Sequence, residues 1–253
     1  MLSRRIVVCL DVDGRRVVKG VRFADLRDVG EPAALAAAYE AQGADELVFL
    51  DISASAESRA TVFDVVRETA RGLFIPLTLG GGLRSASDIE RALRAGADKV
   101  SVNTAAVARP QLLDDAARTY GAQCVVASID ALSDGAGWRV VTHGGRVPTQ
   151  LDAVEWAREC VARGAGEILL TSVDRDGARK GYDLELTAAV SRAVTAPVIA
   201  SGGAGSARDL IDAMRLGEAD AVLVAGILHD GTTTVASLKE ALHNAGIPVR
   251  RAA

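Results

Sequence analysis

A segment near the end of the first third of the chain, Gly82-Leu83-Arg84-Ser85-Ala86-Ser87-Asp88, returns 121 residues later as Gly203-Ala204-Gly205-Ser206-Ala207-Arg208-Asp209. The same spacing carries Glu46 to Glu167, Pro76 to Pro197 and Gly96 to Gly217, and one extra residue after Gly217 aligns Asn103-Thr104 with Ala225-Gly226. A register held over so much sequence describes two copies of one half, about 1–121 and 122–253. Each half alternates apolar runs of strand length with stretches of helical period, the signature of βαβ units. Strands are expected near 4–12, 45–52, 75–80 and 98–103, then near 123–130, 166–172, 197–202 and 220–225. Two sets of four βα units make eight. The expectation is therefore a single α/β domain over 1–253, a (β/α)8 TIM barrel built from two half-barrel repeats. In both copies a serine followed three residues later by aspartate, Ser85 with Asp88 and Ser206 with Asp209, resembles a helix start.

Composition narrows the function. A formal charge of −4 and a pI near 5.5 lack the basic footprint of a nucleic-acid or anionic-membrane partner. No run approaches the length of a membrane span, and Met1 to Arg5 leads directly into a strand, so a cytoplasmic protein is expected. Cys9, Cys124 and Cys160 show no ligand spacing, and His143, His229 and His243 sit beside no acidic or cysteine cluster. No metal is expected. Neither a nucleotide phosphate loop nor a dinucleotide fingerprint occurs, and strand 6 carries no lysine for a Schiff base, which leaves acid/base chemistry with no cofactor.

The strand ends supply the residues for it. Cys9-Leu10-Asp11-Val12 and Ser128-Ile129-Asp130-Ala131 each place an aspartate at the C-terminal end of a strand, the first and the fifth, opposite one another in an eightfold ring. Two such carboxyl groups can divide labour, one as acid and one as base; the sequence does not assign which. Gly80-Gly81-Gly82 and Ser201-Gly202-Gly203 each precede a helix, leaving backbone N–H groups open to a phosphate. Asn103-Thr104 and Ala225-Gly226, at the ends of strands 4 and 8, would complete the two cups. Two cups imply a ligand phosphorylated at both ends. Thr171, Asp176 and Gly177 follow strand 6 beside the second cup, and Asp51 ends strand 2. Two interruptions of the βα rhythm, Arg15 to Arg22 and Trp138 to Arg146, are expected as β-ribbons over the rim, the first bringing Lys19 toward a phosphate. At the opposite strand ends, Arg5, Glu46, Lys99 and Glu167 would line the bottom opening, either as a stabilising ion-pair ring or as a gate for a small polar molecule.

Taken together, these strings closely resemble the cyclase subunit of imidazole glycerol phosphate synthase, over essentially the whole chain. The resemblance rests on Cys9 to Val12 with Arg16 to Gly20, Asp45 to Asp51, Gly80 to Gly82, Gly96 to Ala106, Gly166 to Ser172, Asp174 to Gly177 and Ile199 to Gly205. It implies that Asp11 and Asp130 are the general acid/base pair closing an imidazole ring on a bis-phosphorylated phosphoribulosyl-formimino carboxamide ribotide, with ammonia as second substrate. It also implies a separate glutaminase subunit docked on the N-terminal barrel face, with Arg5, Glu46, Lys99 and Glu167 as the ammonia gate. Three positions depart from the pattern. Gly226 stands where the family often has serine, Gln150 where Thr149 is more usually followed by glycine, and His229 lacks a following aromatic. The alternatives are the sister isomerase of the same pathway and a catalytically silent phosphate-binding barrel.

Overall fold

The computed structural model describes residues 2–21, 24–52 and 56–250. In chain order these form β1 (Arg5–Asp13), β2 (Arg16–Val21), β3 (Ala24–Gly30), α1 (Pro32–Ala41), β4 (Glu46–Asp51), α2 (Ala56–Ala70), β5 (Leu77–Gly80), α3 (Ala86–Ala95) and β6 (Lys99–Val102). There follow α4 (Thr104–Ala108), α5 (Gln111–Tyr120), β7 (Val125–Ser133), β8 (Trp138–Thr142), β9 (Val147–Asp152), α6 (Ala153–Ala162), β10 (Glu167–Ser172) and α7 (Leu184–Ala193). The chain continues with β11 (Val198–Ser201), α8 (Ala207–Arg215), β12 (Ala221–Val224), α9 (Gly226–His229) and α10 (Val235–Asn244). Eight parallel strands, β1, β4, β5, β6, β7, β10, β11 and β12, follow one another in chain order with helices between them, the topology of a (β/α)8 barrel. Parallel strands are covered on both faces, so they read as continuous apolar runs. Ile6 to Leu10 are all buried, as are Leu77 to Gly80.

By packing, the chain divides into two compact units, one of Met1–Leu83, Ser87–Val100 and Val224–Ala253, the other of Arg84–Ala86 and Ser101–Leu223. In the first, Ile52 N donates to Val12 O, Leu47 N to Pro76 O, and Asp98 exchanges bonds with Leu77, its N donating to Leu77 O and its carboxylate accepting from Leu77 N at 2.9 Å. In the second, Val173 N donates to Ala131 O, Ile168 N to Pro197 O, and Asp220 exchanges the same two bonds with Val198. The sequence register thus recurs as wiring, including the extra residue that separates Asp98 from Asp220.

Both ribbons are antiparallel extensions of barrel strands. In the first unit β2 pairs with β1, Asp11 facing Val18, and with β3; Arg22 of the expected ribbon lies outside the described residues. In the second, β8 pairs with β7, Asp130 facing Val141, and with β9. The second ribbon runs on to Asp152, beyond the expected Arg146. Pro148 and the exposed β9 pattern hid that strand, since an edge strand tolerates a residue with no N–H and needs no apolar alternation. Helix starts fall where the Ser/Asp signal puts them: α3 follows Ser85 and α8 follows Ser206. At α8 the Asp209 carboxylate accepts from both Gly205 N and Ser206 N.

Candidate functional site

In the first unit, Asp11 is half-buried near the C-terminal end of β1, and Lys19 is half-buried on β2. Asp51 ends β4 and is buried. Gly81 lies directly on it: with φ +83, a Cβ there would sit 2.1 Å from Asp51 O. Only glycine allows that approach, so the loop Gly80–Gly82 lies with its backbone against the strand end. Gly82 also has positive φ. Ala225 and Gly226 are half-buried at the start of α9.

The same helix ends in His229, whose ring is held on both sides. Its Nε2 lies 3.0 Å from Cys9 O, an obligate acceptor, so Nε2 carries the proton, and Nδ1 accepts from Tyr39 Oη at 2.7 Å. Burial lowers the imidazole to about 4, leaving a neutral ring that ties α1 and α9 to β1 two residues before Asp11. In the sequence His229 stands out only by the lack of an aromatic after it, and Tyr39 not at all. Arg27 of β3 pairs with Asp230 just beyond.

At the N-terminal strand ends of this unit, the buried Glu46 carboxylate receives Arg5 Nη1 on one oxygen and Lys99 Nζ, at 2.9 Å, on the other. Three of the four charges expected at the bottom opening therefore meet on one carboxylate. Close by in the fold order, Lys239 of α10 pairs with Asp45 at 2.7 Å, both side chains buried, while Asp45 also accepts from Ile6 N. Nothing in the sequence pattern signals that pair, whose members lie 194 residues apart.

In the second unit, Asp130 sits on β7, half-buried, between Val141 of β8 and Thr171 of β10. Burial pushes its carboxyl up to about 6; an N–H from Asn103 pulls it down, and the charge of Asp176 pushes it further up. That hydrogen bond, Asn103 Nδ2 to Asp130 Oδ2, is 2.9 Å long. A carboxyl that titrates near neutrality can both give and take a proton at cellular pH. Glu167 starts β10 and is buried.

Gly202, φ +87, repeats the geometry of Gly81: its Cβ would meet Ser172 O at 2.6 Å, and Ser172 is the repeat partner of Asp51. Gly203 lies against Gly181, and Ser201 is half-buried at the end of β11. Asp176 and Gly177 are exposed on the loop after β10. The hydroxyl of Thr104 is engaged within the protein, accepting from His143 N at 2.9 Å. A cavity of about 570 Å3 in this unit is lined by Trp138, Arg175, Tyr182, Asp183 and Asp212 among others; no residue expected at the site lines it. Among the described residues no group of three or more His, Cys, Asp or Glu could hold a metal ion, and no helix is long and apolar enough to cross a membrane.

A (β/α)8 barrel with carboxyl groups at the C-terminal strand ends, one of them titrating near neutrality, has the build of an acid/base enzyme. The sequence matches the histidine biosynthesis protein family over residues 5–234. It is 68% identical over 250 residues to imidazole glycerol phosphate synthase subunit HisF of Myxococcus xanthus, covering 99% of both chains. It is 58% identical over 252 residues to the subunit of the same name from Halalkalibacterium halodurans, covering 99% of this chain and 100% of that one. The chain belongs to the histidine biosynthesis protein family, in its HisF branch.

Proposed function

We propose that this chain is the ammonia-dependent cyclase of imidazole glycerol phosphate synthase, converting phosphoribulosyl-formimino-aminoimidazole carboxamide ribotide into imidazole glycerol phosphate and aminoimidazole carboxamide ribotide. The observation that carries the reading is Asp130, a strand-end carboxyl pushed up to about 6 and held by Asn103. Releasing the aminoimidazole ribotide and closing the new ring both move protons. In this reading Asp11 and Asp130 supply and accept them, and no cofactor takes part. The backbone donors of Gly81 and Gly82, with Asn103 and Thr104, take one phosphate. Those of Ser201, Gly202 and Gly203, with Ala225 and Gly226, take the other. Lys19 adds a point charge, and Asp51, Thr171, Asp176 and Gly177 orient the sugar hydroxyls between them.

Ammonia enters past Arg5, Glu46, Lys99 and Glu167, delivered by a glutaminase subunit on the N-terminal face. Supporting that docking face, Leu2 and Phe74 precede β1 and β5 and are 92% and 91% exposed. The enzyme works in the cytoplasm as one barrel domain with duplicated halves. Purified protein incubated with the ribulosyl substrate and an ammonium salt at alkaline pH should form imidazole glycerol phosphate. Turnover of only the aldose precursor would reassign the chain to the sister isomerase, and binding without turnover to a silent barrel.

A further inference from the structure

Asn103 directly follows β6, and its amide makes two bonds in the second unit. Nδ2 donates to Asp130 Oδ2 at 2.9 Å and to Val141 O of β8 at 3.3 Å. Both partners are acceptors, so the nitrogen must face them and the amide orientation is fixed. Oδ1 is buried with no hydrogen-bond partner. The next residue, Thr104, accepts from His143 N in the ribbon turn, where the chain takes a φ of +55. Two consecutive side chains thus seat the second ribbon on the end of β6, and one of them also grips the carboxyl.

We propose that Asn103 is a positioning residue for Asp130, a single amide that sets both the seat of the second ribbon and the protonation of the carboxyl beneath it. This rests on the reading of Asp130 as a proton-transfer group and goes beyond it by naming what tunes that group. An amide N–H can only donate, so it stabilises the carboxylate and not the acid. The groups that face Asp130 in this unit are Asn103 from β6, Val141 from β8, Thr171 from β10 and Asp176 from the loop beyond β10; of these only Asp176 is charged. Without the amide, burial and Asp176 remain, and both favour the protonated form. Shifting the ribbon removes the second acceptor that holds the amide in place. Ordering of the ribbon and proton affinity of Asp130 therefore change together.

The test is a carboxyl 13C NMR titration of Asp130 in the intact, substrate-free chain, the resonance assigned by its loss in Asp130→Asn. Wild-type protein should titrate near 6. Asn103→Leu should move the midpoint upward by about one pH unit or more, as expected on losing a hydrogen bond to the charged form. Asn103→Asp, nearly isosteric and adding a like charge, should move it further and keeps the test alive if the leucine variant fails to fold. Thr104→Val removes a ribbon contact but leaves the amide, and should move the midpoint by less than half the shift seen in Asn103→Leu. In the cyclisation assay, the limb of the kcat/KM profile that Asp130→Asn abolishes should move by the same amount in Asn103→Leu. An unmoved midpoint in the folded Asn103 variants, or an equal shift in Thr104→Val, overturns the proposal. A moved midpoint in a protein with no cyclase activity overturns only the functional reading on which it was built.

Discussion

Replacing Asp130 by asparagine should make the protein more stable while removing most of its turnover. An aspartate raised from 3.8 to about 6 by folding is a charge the folded state holds at a disadvantage. At about 1.36 kcal/mol per pH unit the cost reaches about 3 kcal/mol at pH 7. Asparagine has nearly the same shape, can still accept from Asn103 Nδ2, and carries no charge to be repelled by Asp176. The sign is set by linkage. Above pH 6 the folded protein carries the anion and the full cost. As pH falls from 6 toward 3.8 the folded state takes up a proton before the unfolded one does, and the cost fades; below 3.8 both states are protonated and it is gone.

Thermal unfolding of wild type and Asp130→Asn, measured at pH 7.5 and again near pH 4.5, tests this directly. For a chain of this size about 3 kcal/mol corresponds to a Tm gain of about 6–12 °C at the higher pH, and the gain should shrink by more than half at the lower. A variant no more stable than wild type at pH 7.5, or a gain equal at both pH values, would refute the idea that Asp130 is ionised at a cost in the folded state.

Three further outcomes are expected. Lys239→Met leaves Asp45 buried with, among the described residues, Ile6 N and Arg250, 3.4 Å away, for company, and should cost about 3 kcal/mol, the low end for breaking a buried pair, read from the urea midpoint at unchanged m; adding Asp45→Asn should restore much of it. Gly202→Ala forces a Cβ to 2.6 Å from Ser172 O at a φ of +87; it should lower stability by about 1–3 kcal/mol and raise KM for the bis-phosphorylated substrate more than it lowers kcat. Phe74→Asp should weaken binding of the glutaminase by about 2 kcal/mol in calorimetry, as for a central apolar anchor, and cut glutamine-dependent synthesis far more than ammonia-dependent synthesis.

Much of this was legible in the sequence because it depends on pattern. The repeat register gave the strand count, and buried parallel strands announce themselves as apolar runs such as Ile6 to Leu10. The aspartates at the strand ends and the glycine loops after Leu79 and Ala200 were legible for the same reason: a strand–loop–helix order tells where a side chain must emerge. What stayed hidden depends on which distant groups meet. Tyr39 reaches His229 across 190 residues, and Asp45 reaches Lys239 across 194; both pairs look like ordinary helix and loop residues until the fold brings them together. Asn103 was legible as a strand-end polar group, and its place beside Asp130 is a consequence of β6 and β7 being consecutive strands. Its grip on the carboxyl needed the side-chain geometry.

The duplication also explains why the two aspartates need not behave alike. Twofold wiring gives each unit a strand-end carboxyl and a glycine loop lying on a neighbouring strand, Gly81 on Asp51 and Gly202 on Ser172. The position matching Asn103 in the other copy is Ala225, which has no side-chain donor at all. Asp130 therefore has a neighbouring side-chain amide that favours its anion, whereas Ala225 has no side-chain N–H to give; the Cys9 thiol lies 4.0 Å from Asp11 Oδ1. A duplicated scaffold supplies a carboxyl group at the same strand position in each copy, and substitution at one neighbouring position is a way to set the two apart. On the proposed reading of Asp11 and Asp130 as the proton-transfer pair, ring closure uses such a difference, because a proton must be given at one atom and taken at another, and two carboxyls with identical surroundings would compete for the same role.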